Sequence, residues 1–420
     1  MWYFHAVEYD PLDPATMQCP FPGYARLRAE APVYFAESVG AYIVTRHDLL
    51  SEVLRDPGTY SSRRGRSLQP LSGADREDLI AAQSEGYPRL ATLLTADPPQ
   101  HTRFRRLVSK AFSPPAIAAR EPLVRGIATR LIDSWFEASP IEFVEQFAVP
   151  LPLEVIAGAL NVPDDRLEDF KRWSDDTVVG FGNQPTMAQI LAAERGVNDL
   201  QHYFAGELAA RRVLPQDDLL TALLDARIDD DDPEIADRRE LDVPEVLSII
   251  QQLLVGGNET TTKMLTEMVR RLAEDPDLWR RVKNDPSLIP SVVEEAIRFA
   301  SPVQAIWRVA ARDTDLGGVA IPKGSRLVVS FGSANRDEVV FADADDFQPD
   351  RANLHEHLGF GRGVHFCIGA SLARMEGRVA LEELTARLAS LSPADTNDFT
   401  YHDSFMLRGL LKLDLHIVPA

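Results

Sequence analysis

Residues 359–378 read GFGRGVHFCIGASLARMEGR. Glycines at 359, 361 and 363 let the backbone take left-handed or tight conformations and approach a neighbour closely. Cys367 follows, Gly369 stands two residues later, and IGASLARMEGRVALEELTARL then has helical periodicity. That order places Cys367 at or just before a helix N-terminus, in a loop with little side-chain bulk. The positive end of the helix and its free N–H groups favour a thiolate. A lone Cys is commonly a small buried apolar residue, and on this stretch alone that reading stays open. A thiolate in a glycine cage suits a metal ligand instead. Cys19 is the only other cysteine, so no disulfide framework and no four-cysteine zinc or iron–sulfur site can be built within the chain. A metal at Cys367 has to bring most of its own ligands, and a haem does that.

The rest of the chain bounds the setting. Its 420 residues contain no Gly/Ser- or Pro-rich divider, and the 29 prolines are scattered. One folded unit over 1–420 is expected, large enough to bury a deep cavity. The net charge of −20 repels nucleic acid and anionic lipid. The N-terminal MWYFHAVEYDPLDP lacks the basic-then-apolar order of a secretory leader. No run of about 18 apolar residues occurs. A cytoplasmic protein without membrane or nucleic-acid partners is the expectation.

Periodicity divides the chain unevenly. APVYFAESVGAYIVTR (31–46) reads as two short strands about a Gly-containing turn, and HDLLSEVLRDPGTY as a helix stopped by Pro57 and Gly58. Residues 61–92 read as a long loop with one short helix; such loops are often functional. From about 100 to 300 the apolar residues fall at i, i+3, i+4, the longest helical run covering 243–273. DARIDDDDPEIADRRELD reads as an acidic surface connection into it. After 300 the pattern turns to strand, in VAARDTDLGGVAIPKGSRLVVSF and the final LKLDLHIV.

Several short patterns carry no weight. NET at 258–260 is a sequon inside a helical run without a leader. His355 and His357 in HEH sit badly on one helix face and point oppositely on a strand, which is no zinc site. The glycines at 359, 361 and 363 do not continue to GxGxxG, because residue 364 is Val.

FGRGVHFCIG (360–369) resembles, position by position, the haem-binding loop FGxGxHxCxG of the cytochrome P-450 (haem-thiolate monooxygenase) family in its soluble bacterial form. The resemblance implies that Cys367 is the axial iron ligand, that Phe360 packs beside it with Gly361 and Gly369 in the same loop, and that His365 reaches a haem propionate. Thiolate ligation in this class favours O–O cleavage.

Three further segments are weak alone and occur in the family's order. LLVGGNETTTKML (253–265) puts Gly256 and Gly257 mid-helix, which costs about 2 kcal/mol relative to alanine. A small-residue helix crossing would explain the pair, and so would a flat group lying against the helix beside Glu259 and Thr260. The segment is similar to the family's [AG]GxxT, in which Glu259 and Thr260 would guide protons to the dioxygen being activated. Glu stands where many relatives have Asp. VVEEAIRFASP holds Glu295 and Arg298 at i, i+3, a spacing that usually gives a surface salt bridge. Arg351, in FADADDFQPDR, matches FxPxR, whose Arg joins that pair in a buried cluster bracing the haem loop. DPPQHTRFRRLVSKAF puts His101 and Arg105 four apart, as in an ordinary amphipathic helix or a nucleic-acid patch, the latter disfavoured by the charge. It also matches HxxxR, and Arg308 in SPVQAIWRVA matches the other propionate-binding position.

The family's fold is mainly α with a smaller β-rich part from both chain ends, haem b lying between the long helix and the helix after Cys367. Its reaction uses O₂ and two external electrons to hydroxylate or epoxidise a hydrophobic small molecule. No flavin or iron–sulfur segment is present, so an external ferredoxin and ferredoxin reductase are expected to serve a monomer. Arg103, Arg105, Arg106, Lys110, Arg362 and Arg374 are the expected ferredoxin patch. Residues 65–95, 173–185, Leu253–Gly257, Val303–Ile306 and Phe405–Leu407 are the expected pocket, with Asn183 and Gln304 as its polar groups. An H₂O₂-driven peroxygenase would need a different acid–base set from Glu259 and Thr260; a non-catalytic haem protein would need an output domain for which there is no room.

Overall fold

A computed structural model describes residues 8–63, 73–135, 140–228 and 235–420. Its longest element, the helix Val243–Glu274, begins in a reciprocal cap. The Asp242 carboxylate accepts the Glu245 N–H at 2.9 Å, and the Glu245 carboxylate accepts the Asp242 N–H at 3.0 Å. Both donors would otherwise lie unpaired at the helix start. The helix matches the predicted 243–273 run and passes through two apolar clusters. Its first half packs Ile249, Ile250 and Leu254 with Phe170 and Phe204. Its second half packs Leu265, Met268 and Leu272 with Trp279, Val292 and Val379. The helix Ala370–Arg387 crosses it at Gly377, where a Cβ would stand 3.2 Å from Met264 Cε and 3.0 Å from Val293 Cγ1.

Ten strands occur among the described residues: β1 (Val33–Ala36), β2 (Ala41–Val44), β3 (Tyr60–Ser61), β4 (Ile141–Glu142), β5 (Ala305–Ala310), β6 (Thr314–Leu316), β7 (Val319–Ile321), β8 (Arg326–Ser330), β9 (Leu388–Pro393) and β10 (Asp414–Pro419). They form a five-stranded sheet in the order β1-β2-β8-β5-β3, a three-stranded sheet β4-β10-β9 and the hairpin β6-β7. The β2–β8 pair is parallel, with Tyr42 opposite Leu327; the other pairs are antiparallel. The β-rich part therefore draws on both ends of the chain, as expected, around a mainly helical body.

The helix stopped by Pro57 runs His47–Arg55 as predicted, and the one short helix expected within the 61–92 loop is Gly73–Ser84, twelve residues long. Its face is weakly amphipathic, so periodicity marks it only faintly. Residues 64–72, and with them the 65–72 part of the expected pocket, lie outside the described residues, as do 229–234 of the acidic connection.

Candidate functional site

The cysteine loop folds back on itself before it enters its helix. Gly361 donates to the Leu358 carbonyl at 2.8 Å, Phe366 to Gly363 at 3.1 Å, and Cys367 to Phe360 at 2.9 Å. Gly361 and Gly363 take φ of +68° and +72°, a region that strains any residue with a Cβ. At Gly363 a Cβ would also collide with the Leu54 carbonyl oxygen, so the loop is seated on the helix His47–Arg55. Gly369 is different from the expectation: at φ −85° it is an ordinary N-cap for Ala370–Arg387, and a Cβ there would lie 3.9 Å from Cys367 Sγ. The thiol stands three residues before the helix. Burial pushes it above the usual thiol range, against the pull of the Gly369 N–H and the Arg105 and Arg374 charges. The helix end alone therefore does not make a thiolate, and a cation at the sulfur would reverse that balance.

On one side of this loop the fold gathers basic groups from three elements. His101 and Arg105 come from the helix Gln100–Ser109, Arg308 from β5, and His365 from the cysteine loop. The His101 and His365 rings are 4.2 Å apart. His365 contacts the Leu93 carbonyl through Nδ1 at 3.2 Å and Ser62 Oγ through Nε2 at 3.1 Å. Arg308 is 6 % exposed and donates to the Trp307 carbonyl. Among the described residues neither Arg308 nor Arg105 makes an ion pair, and the nearby Asp97 is engaged by Ser61, Ser62 and Arg63. Burial, reinforced by mutual repulsion, pushes His101 down to about 4 and His365 down to about 3; burial pulls Arg308 down to about 10. Four crowded basic groups short of carboxylate suit a ligand that brings its own anionic groups. With one soft sulfur donor in a loop framed by Gly361, Gly363 and Gly369, the set fits a haem carrying two propionates.

The long helix supplies the other wall. It is continuous through Gly256 and Gly257. Gly256 is exposed and a Cβ there would meet nothing within 4 Å, whereas one at Gly257 would touch Ile156 at 3.7 Å. Only the first glycine borders open space; the second is a helix-packing position. Thr260 Oγ1 donates to the Gly256 carbonyl at 2.8 Å. Glu259 Oε2 accepts from Lys263 Nζ at 2.6 Å. Burial would raise the Glu259 carboxyl, but Lys263, Lys171 and His402 hold it below the usual range.

The Glu295–Arg298 pair is a core cluster, not a surface bridge: both side chains are 0 % exposed. Arg298 engages Glu295 with Nε at 2.6 Å and Nη2 at 2.7 Å, and its other donors reach the carbonyls of Asn335, Ala344 and Asp346. Arg351 Nε completes the cluster at 3.2 Å from Glu295 Oε1.

A second brace escaped the sequence reading. Glu294 takes His357 Nε2 at 3.0 Å and is gripped by the Arg374 guanidinium. His357 Nδ1 accepts the Gly359 N–H at 3.1 Å, so Nε2 carries the proton. The Arg374 guanidinium lies 4.6 Å over the Phe360 ring. His357 is no zinc ligand but the partner of Glu294, and the sequence signal for the pair is a second acid in VVEEAIR, one position from Glu295.

Three expected pocket segments converge. Val303 bridges Leu407, Gln304 N–H donates to the Met406 carbonyl at 2.7 Å, and Phe405 N–H to the Gly182 carbonyl at 3.0 Å. Gln304 is a correction in part: its Nε2 is spent on the Ala300 and Ser301 carbonyls, while its Oε1 lies buried against Gly332 with no hydrogen-bond partner among the described residues. The ferredoxin patch is corrected too. Arg103 is buried and bound to Glu245 at 2.9 Å, and Arg105 belongs to the basic cluster, while Arg106 and Lys110 are exposed.

Comparison with known proteins agrees with this geometry. The family model for cytochrome P450 matches residues 204–408. Cytochrome P450 109 of Bacillus spizizenii is 37 % identical over 89 % of this chain and 86 % of its own length. The 6-deoxyerythronolide B hydroxylase of Saccharopolyspora erythraea is 34 % identical over 94 % of this chain and 95 % of its own. The crystal structure of CYP109E1 from Bacillus megaterium in complex with testosterone superposes with a TM-score of 0.82 at 32 % identity, covering 96 % of this chain and 99 % of that one.

Proposed function

The chain belongs to the cytochrome P450 family and is a haem-binding monooxygenase; on that premise we propose that it hydroxylates or epoxidises a hydrophobic small molecule with two electrons from a separate ferredoxin system. The observation that carries the reading is the pairing of one glycine-framed sulfur, Cys367, with a buried basic cluster short of carboxylate. Cys367 would hold the iron, with Phe360, Gly361 and Gly369 shaping the loop around it. His101, Arg105, Arg308 and His365 would pair the propionates, and Gly256 would let the macrocycle lie close to the long helix. When bound, haem supplies the activation of dioxygen and the insertion of one oxygen atom. Glu259 would take up protons from solvent and pass them inward, and the Thr260 hydroxyl, released from the Gly256 carbonyl, would donate to the oxygen being protonated.

The convergence of 173–185, 303–306 and 405–407 supports an apolar pocket that excludes water. The testosterone-bound relative supports a substrate of that character. Glu295, Arg298 and Arg351 would brace the loop from behind, without touching substrate. Arg106, Lys110 and Arg362, with the exposed Val364 and Phe366 of the loop, would receive an acidic ferredoxin on the sulfur side.

The test is the visible spectrum of the reduced protein under carbon monoxide. A main band far to the red of the His-ligated position, abolished in Cys367→Ala, is expected; no haem band after reconstitution overturns the assignment. In Thr260→Ala, reductant consumption should persist while peroxide replaces product, an uncoupling that a peroxide-driven enzyme does not show.

A further inference from the structure

Lys263 is 6 % exposed, an unusual place for an ammonium. Its Nζ reaches Glu259 Oε2 at 2.6 Å, one turn back on the long helix. Its stem is held from a different part of the chain. At Gly409 a Cβ would collide with Lys263 Cγ and stand 3.1 Å from Lys263 Cβ and Cδ. Gly409 does not adopt a positive φ, so close approach to Lys263, rather than backbone conformation, accounts for glycine there.

Gly409 belongs to a hairpin whose neck is the Tyr401–Leu410 bridge and whose next rung is His402 N–H to the Gly409 carbonyl at 3.0 Å. The tip of the same hairpin packs against the segments 173–185 and 303–306 that are expected to line the pocket. Ser404 Oγ donates to the Phe181 carbonyl at 2.5 Å and accepts from Met406 and Leu407 N–H at 3.2 and 3.1 Å. Three elements thus bear on one carboxylate: Lys263 from its own helix, His402 from the hairpin, and Lys171 from the helix Leu167–Val178. Lys171 is shared with Asp175, and His402 also faces Asp403. Burial, then Lys263, pushes His402 down to about 4, so at neutral pH its ring is uncharged and Lys263 is the close cation on Glu259.

We propose that Lys263, clamped by Gly409, is a positioning residue that fixes the Glu259 carboxylate, so that the hairpin 401–410 ties proton delivery to the segment lining the substrate pocket. The proposal rests on the reading of Glu259 as the proton-delivering acid. A surface i,i+4 pair would contribute little; this one is buried and its cation is held by a second element, so its loss reaches the acid directly.

The experiment uses the haem-loaded full chain, in the wild type and in Lys263→Met, Gly409→Ala and Glu259→Gln. The first readout needs no turnover: infrared pH titration of the ferric protein, the Glu259 band being the one lost in Glu259→Gln. In Lys263→Met the midpoint should rise by about 1–3 pH units, the effect of removing an opposite charge at this distance. In Gly409→Ala, which keeps the ammonium and displaces its stem, it should rise by less. The second readout is the pH profile of product formed per reductant consumed. Its acidic limb should move in the same direction in both variants, which a merely structural role for Lys263 would not produce. An unmoved midpoint in both variants overturns the clamp; if Lys263→Met fails to fold, an unmoved midpoint in Gly409→Ala does so alone. If Glu259→Gln leaves product per reductant unchanged, the reading of Glu259 falls and the proposal with it, whatever the infrared midpoints show.

Discussion

Glu294→Gln should loosen the cysteine loop in a way that depends on pH. Burial raises the Glu294 carboxyl, but hydrogen bonds from His357 and Arg374 outweigh it and bring the group from 4.5 down to about 2. A folded-state value below the unfolded one means the carboxylate form stabilises the fold. The contribution is complete above the unfolded value of 4.5 and is lost as pH falls toward 2. At 1.36 kcal/mol per pH unit this is worth about 3 kcal/mol at pH 7, against a total of about 5–15 kcal/mol. The side chain is 22 % exposed, so solvent screening reduces the figure only modestly. Urea unfolding followed by tryptophan fluorescence should show the variant about 2–3 kcal/mol less stable than wild type at pH 7 and less than half that at pH 3. A gap below 1 kcal/mol at pH 7, or one that does not shrink with acid, would refute the electrostatic account and leave Glu294 a packing residue.

Glu295→Gln should cost more, about 3–5 kcal/mol, because it strands the buried Arg298 and Arg351 charges; thermal unfolding of the haem-free chain checks this without reference to haem affinity. Gly363→Ala should displace the loop, since φ +72° and the Leu54 carbonyl both oppose a Cβ. A lowered haem-retention half-life with unchanged far-ultraviolet circular dichroism is the expected reading, and full haem retention would show that the loop can shift at no cost.

What the sequence revealed and what it hid follow one physical rule. Features whose partners sit within a few residues were legible: the Phe360–Gly369 loop, the four-residue spacing of His101 and Arg105, and the long helical run over 243–273. Features completed by distant chain were not. Arg103 looked like part of an exposed basic run because its partner, Glu245, lies on another helix. VVEEAIR does not show the partners of Glu294, because His357 and Arg374 reach it only in the fold. Gln304 stands in an expected pocket segment, and an amide in an apolar run gives no sign of the carbonyls it serves. Nothing in LLVGGNETTTKML signals that Gly409 will press against Lys263. In each case a side chain's inward or outward facing was fixed by long-range packing, which periodicity reports only for apolar residues.

The parallel pairing of β2 with β8 has a consequence for biosynthesis. Tyr42 and Leu327 are neighbours in the sheet but 285 residues apart along the chain. At about 5–20 residues per second, the N-terminal hairpin leaves the ribosome about 15–60 s before its partner strand exists. For that interval the inner edge of β2 is an unpaired template open to any other extended chain. Its residues Ala41–Val44, AYIV, are apolar and uncharged, which are the properties that favour intermolecular pairing. Recovery of folded protein during rapid synthesis should therefore be limited by holdase capacity in that window more than by haem supply.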